Sequence, residues 1–342
     1  MVLAVLSAAL TLTSFAASAQ EDRSIADLRE DIEGMNITSG EKYYQIADMR
    51  SKTMLMLYTM ERVNVSADVK QFIFSVENFL DTFESTYKKS ETGDFSVHRE
   101  SINKGRDMKQ MASDLKAYKN DPELKEYEYV SMIVDNADDA VKRFLDDEGA
   151  YFEEMAKYEN VTPITIWHLK DAITAYEEST NNEKRDEVDD KYKTLNSEFN
   201  RNMATVRVDK READALLNKS DALKDSENVL DLVSAFLSST EAGMKYGGIE
   251  KIYIGYNLNS TGCSENIKCL HEYYEPFNEI INKKKQASDI SDSLVGTILL
   301  YVLGIAVVLL GILFYFQKSY SSYKEETTDT KLGRELGLDK TR

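Results

Sequence analysis

Between Gly149 and Gly243 the chain runs for 93 residues (150–242) without a glycine and with one proline, Pro163. A sheet of ordinary strands needs a turn roughly every ten residues, and turns draw on glycine and proline. A run this long without them is committed to long helices. The only other prolines are Pro122 and Pro276.

Hydrophobic spacing gives the same answer. Ile46, Met49, Thr53, Met56, Met60 and Val63 alternate steps of three and four, and Val69, Phe72, Val76, Phe79 and Phe83 resume the pattern. The longest series is Tyr127, Val130, Val134, Ala137, Val141, Phe144, Glu148, Tyr151, Met155 and Tyr158. Later stripes take in Val188, Tyr192, Leu195, Phe199, Met203 and Val206, then Leu216, Leu223, Leu230, Val233 and Leu237. A period near 3.5 belongs to helices packed side by side at shallow angles, as in bundles and coiled coils.

Helix starts are marked at Asp121-Pro122 and Thr162-Pro163, where a capping side chain precedes proline, and at Ser66 and Asp94. The expected fold is all-α: an elongated antiparallel helical bundle over residues 20–248, coiled-coil-like, with short connections. Residues 249–292 break the pattern. Ile249, Ile252 and Ile254 among tyrosines suggest an extended segment or hairpin, followed by a helix from about Asn266 to Lys285.

Two segments speak of a membrane. Leu294 to Phe316 is 23 uncharged residues, about 34 Å as a helix, where a bilayer core of about 30 Å needs roughly 20. Residues 293–316 are therefore expected to span. Residues 1–19 are apolar and small, and Ala17-Ser18-Ala19 has the form of a signal-peptidase site with Gln20 as mature start. The usual basic n-region is missing, so an uncleaved anchor is the alternative. A cleaved signal and one span place the N-terminal domain outside the cytoplasm and residues 317–342 inside, a type I topology at the cell membrane. Lys283, Lys284 and Lys285 on the outer side leave the positive-inside rule weakly obeyed.

That topology decides the only two cysteines, Cys263 and Cys269. Outside the cytoplasm an even pair predicts a disulfide, here a staple on the membrane-proximal segment. Structural zinc wants four Cys or His ligands, and the chain has only His98, His168 and His271 besides. The net charge is −18, of which the tail contributes +1 (six basic, five acidic), leaving −19 outside. So acidic a surface excludes nucleic acid and flat binding to anionic lipid. Divalent cations are compatible with it, but "FLDDEGAYFEE" and "KRDEVDDKY" do not fit a calcium loop and read as solvated helix faces.

Asn36, Asn64, Asn160, Asn218 and Asn259 head Asn-x-Ser/Thr sequons and are candidate glycosylation sites, with Asn160 weakened by Pro163. Thr297, Gly304 and Gly311 fall seven apart in the span, a small-residue stripe suited to close helix packing. His168 beside Trp167 reads as a helix start packed into the core, and His98 stands among polar neighbours. No nucleophile–base pair, phosphate loop or HExxH motif occurs, so neither catalysis nor a cofactor is expected.

These features describe a non-enzymatic, single-pass surface protein whose helical ectodomain mediates protein–protein interaction, in adhesion, in an envelope or as a complex subunit. The expected partners are the membrane and another protein or a second copy. Two alternatives stand beside it: a helical-bundle ligand sensor that signals through a partner, and an accessory subunit held through the Thr297/Gly304/Gly311 face.

Overall fold

The computed structural model describes residues 23–60 and 65–335, with side chains to 322. The proposed signal peptide (1–19), Asn64 and Val63 lie outside the described residues. Among the described residues every regular element is helical and no strand occurs. The chain divides into two compact units at Glu198/Phe199.

The first unit holds α1 (Ile25–Gly34), α2 (Tyr44–Met60), α3 (Ala67–Thr92), α4 (Phe95–Ala117), α5 (Tyr129–Tyr158), α6 (Thr162–Ser179) and the start of α7 (Asn182–Leu223). Side chains fix the helix starts. Ser24 and Asp27 form a capping box on α1, Ser66 accepts from the Val69 amide on α3, and Asp94 accepts from Ser96 and Val97 on α4. Each satisfies amides that have no partner within the helix. Asp121 caps only a 3₁₀ turn over Leu124–Glu126, and α5 starts later, at Tyr129. Thr162 lies inside the first turn of α6, one residue beyond its expected place as the cap.

Helix α5 packs against α2, α4 and α6, while α3 packs on α4 and α1 sits on α2 and α3. The stripes on α2 and α3 are fully buried as far as they are described. On α5 the expected positions are buried from Val130 to Glu148. Beyond that, burial moves from Tyr151, Met155 and Tyr158 to Phe152 and Ala156. A straight helix of 3.6 residues per turn drifts by about 20° per heptad, which over four heptads turns the seam onto the next residue. Tyr43, Phe79, Phe83 and Phe144 form an aromatic core with edge-on contacts of 5.2 Å (Tyr43–Phe83) and 5.7 Å (Phe83–Phe144).

The second unit contains the rest of α7, then α8 (Val229–Gly255), α9 (Thr261–Glu265), a turn at Ile267–Cys269, a π-helical turn at Leu270–Tyr274 and α10 (Glu275–Glu335). Helix α8 runs antiparallel to α7: Asn202 bonds Tyr256, Asp214 bonds Tyr246, and the Ser220 hydroxyl donates to the Ala235 carbonyl. It also runs antiparallel to α10, with Lys284 on Glu250 and Gly243 opposite Ala287. Lys283 bridges Asp214 and Glu279, and Lys210 reaches Glu279 at 3.1 Å. Lys283 and Lys284 are thus spent on ion pairs within the unit.

Two expectations need correction here. Ile249, Ile252 and Ile254 are not extended, because α8 continues unbroken to Gly255 and buries Tyr246, Ile249 and Tyr253 at helical spacing. Tertiary packing overrides the strand propensity of isoleucine and tyrosine. The chain then turns at Asn257, which takes a left-handed conformation (φ 54°) that asparagine tolerates. The second correction concerns Leu230 and Leu237, which are 76% and 60% exposed; α8 buries Leu232, Ala235 and Ala242 instead.

Along α10, Phe277, Ile280, Ala287, Ile290 and Leu294 are buried, and from Val295 onward the helix is uncovered on most of its circumference. It is the one helix among the described residues long and apolar enough to cross a membrane, reaching a mean hydropathy of 2.8.

Two glycines separate close packing from open surface. A Cβ on Gly149 would lie 2.7–2.9 Å from the ring of buried Tyr176, whereas one on Gly248 of α8 would meet nothing within 4 Å. Overpacking costs about 1–3 kcal/mol and helix propensity returns about 1 kcal/mol. Thermal melts should therefore show Gly149→Ala lowering Tm and Gly248→Ala raising it. A rise for Gly149→Ala would mean that α5 and α6 are not in contact there.

Candidate functional site: a buried histidine–glutamate pair

Among its described residues unit one buries three glutamates, Glu84, Glu148 and Glu153, and the first two are held in opposite ways. Glu84, on α3, is 7% exposed and accepts from the Thr38 amide (2.6 Å), the Ser39 amide and hydroxyl (3.4 and 2.7 Å) and the Thr38 hydroxyl. Burial pushes its pKa up, but these donors outweigh burial and hold it below the usual value. It is an ionised bracket that ties the α1–α2 connection to α3.

Glu148, on α5, is 4% exposed and has no such set of donors. Its Oε2 lies 2.8 Å from Nδ1 of His98 on α4. Burial drives its pKa up to about 8, with Lys42 pulling down and Asp147 pushing up. Burial likewise lowers His98, against the pull of Asp94. Both shifts favour the uncharged pair, a carboxylic acid donating to a neutral imidazole.

The surroundings are aromatic. The His98 ring stacks on Tyr151 at 3.6 Å, and Phe152 separates it from His168, with centroids 6.4 and 6.0 Å away. His168, on α6, is buried as expected, and its Nδ1 has no hydrogen-bond partner among the described residues. Tyr43 donates to Asp147 at 2.6 Å, and Lys42 pairs with the same carboxylate. Nearby, between α3 and α4, a polar cavity of about 280 Å³ is lined by Thr82, Thr86, Lys89, Ser101 and Lys104 among others. The arrangement can bind and release a proton near neutrality.

Sequence reading placed His98 among polar neighbours and the acidic stretch around Glu148 on a solvated face. Both need correction: His98 is largely covered, and Glu148 and Glu153 are buried. The signal was present, since Glu148 occupies a core position in the longest heptad series.

The residues singled out from sequence are scattered. Cys263 and Cys269 lie at disulfide distance, Cα–Cα 5.1 Å, both buried. Asn36, Asn160 and Asn259 are exposed in connections, and Asn218 is exposed within α7. Thr297, Gly304 and Gly311 share one face of α10; a Cβ on either glycine would meet nothing within 4 Å. Among the described residues no group of three or more His, Cys, Asp or Glu is gathered to hold a metal.

The pair sets a pH dependence. Glu148, raised from 4.5 to about 8, contributes stability present in full below pH 4.5 and lost as pH rises through about 8. His98, lowered from 6.5, contributes stability present above pH 6.5 and lost on acidification. The two oppose each other below pH 6.5. Between pH 6.5 and about 8 only the Glu148 loss remains, about 2 kcal/mol. Melts across that window should show the native chain losing stability relative to Glu148→Gln; parallel curves would mean that Glu148 is ionised throughout. No protein-family model, characterised protein or solved structure matches this chain.

Proposed function

We propose that this chain is a non-catalytic, membrane-anchored module that works by binding another protein, with its helical units as an antiparallel bundle outside the cytoplasm and a short tail inside. The observation that carries the reading is α10. From Val295 to Phe316 its apolar side chains lie open to the surroundings, and such a surface is stable only against lipid or another helix. Gly304 leaves a shallow groove along Thr297, Tyr301, Ile305 and Val308, and Gly311 lies seven residues further on the same face, a face on which a partner's backbone can approach closely.

Three features support the orientation. A Cys263–Cys269 bridge belongs to an oxidising compartment; in the chain-entropy model a seven-residue loop contributes about 2.4 kcal/mol. Lys283 and Lys284 are offset by Asp214, Glu279 and Glu250, which removes most of the charge that opposed it. Three of the sequon asparagines are exposed in connections, where glycans would be accommodated. For the protein-facing surface, Tyr44 (63% exposed) stands beside Tyr43 (1%): one fills the core while its neighbour offers contact area with a polar tip.

A second reading, a bundle that senses pH or a small polar ligand and signals through a partner, is favoured by the His98–Glu148 pair and the α3–α4 cavity.

Mild cross-linking in native membranes, gentle extraction and mass spectrometry test the main reading. The expected result is a stoichiometric protein partner, lost or reduced severalfold when Gly304 and Gly311 are both replaced by leucine. A chain that extracts as a monomer with nothing attached overturns it.

A further inference from the structure

The start of α8 carries an apolar surface that the unit leaves open. Leu230 and Leu237 are 76% and 60% exposed. Val233, Phe236 and Leu237 line an apolar groove with Val295, Leu299 and Val302, the opening turns of the span. These two sets of residues form one continuous face, half on each helix.

Register fixes its level. Helix α7 runs parallel to α10 with an offset of 69, from Lys210–Glu279 and Asp214–Lys283. The same offset brings Leu223, where α7 ends, level with Asp292, the last charged residue before the apolar run. The α7–α8 turn (224–228) therefore lies where that run begins, and α8 returns from it alongside Val295–Val302. At the turn Lys224 pairs with Asp221, and the Ser226 hydroxyl donates to Asp231. On a helical wheel of 100° per residue, Val295, Leu299 and Val302 lie roughly opposite Thr297, Gly304 and Gly311. Contact with α8 thus leaves the small-residue face free.

We infer that the first turns of α8, Val229 to Leu237, are a second membrane element, seated with α10 in the headgroup and upper acyl region of one leaflet. This rests on α10 spanning the bilayer. The occupant of the open face is lipid, because the face is continuous with the span and lies at its entry. The nine residues Val229 to Leu237, eight steps of helix, cover about 12 Å, close to the 5–10 Å to which interfacial helices sink. The run of 23 uncharged residues exceeds the roughly 20 that a bilayer core needs, which leaves room for this shared entry zone. Met244, also exposed, lies two turns further up α8, level with Ala287, and belongs to water.

The test uses the full chain in phosphatidylcholine vesicles, with single cysteines at Leu230, Leu237, Met244 or Gly311 carrying an environment-sensitive fluorophore, the native cysteines kept oxidised. Spin-labelled lipids quench from a shallow or a deep acyl position. Probes at 230 and 237 should shift to the blue and lose most of their emission to the shallow quencher, 311 should respond to the deep one, and 244 to neither. Quenching at 311 with water-like signals at 230 and 237 overturns the α8 inference and leaves the span intact. Blue shifts at 230, 237 and 244 without lipid quenching assign the face to protein contact and overturn it too. No quenching at 311 removes the span and this inference together.

Discussion

Helix α5 buries side chains towards α2, α4 and α6 at once, and the first unit depends on that shared contact. A helix with neighbours on three sides has little polar surface to spare, so its seam must be apolar almost throughout. Where it is not, a glycine admits the Tyr176 ring and a glutamate meets a histidine. These two fall side by side, at Glu148 and Gly149, where α4 and α6 both come close to α5. In the second unit the corresponding role belongs to α10, held to α7 and α8 by Lys283 and Lys284 and by the buried run from Phe277 to Leu294. The first assembly turns most of its large apolar side chains inward, and the second leaves an apolar surface open at the start of α8 and from Val295 onward.

The contrast between Glu84 and Glu148 shows how one residue type serves two purposes in one core. Both carboxyls are removed from water, which penalises the charged form. Glu84 recovers the loss through donors from Thr38 and Ser39, since a carboxylate is acceptor-only. Glu148 is offered a single ring nitrogen and keeps its proton. The first arrangement is insensitive to pH near neutrality, and the second is not.

Helix content was legible in the sequence because period and glycine content agree: the stripes on α2 and α3 and the first half of α5 are buried where spacing put them. The reading lost register at the far end of α5, where drift accumulates, and on α8. There the tyrosines and isoleucines of Tyr246–Ile254 resembled a strand, and Leu230 and Leu237 resembled a core. Neither error could be avoided from local pattern, because an apolar residue left open and one facing a neighbouring helix look alike in one chain. The His98–Glu148 pair was half legible: Glu148 stood out at a core position, but its partner lies 50 residues away and only packing brings it near.

Helix α10 is unbroken from Glu275 to Glu335, about 90 Å at 1.5 Å per residue. Its single proline, Pro276, sits in the first turn, where it does not kink the axis. With no break between Ile280 in the packed unit and Gly311 in the apolar run, a rotation at one end carries to the other. A rearrangement that turned the Ala287–Ile290 seam against α8 would swing the Thr297/Gly304/Gly311 face through the same angle about the helix axis. With α10 spanning a bilayer as proposed, the choice of neighbour there would be geared to the packing above it, with α10 as the shaft.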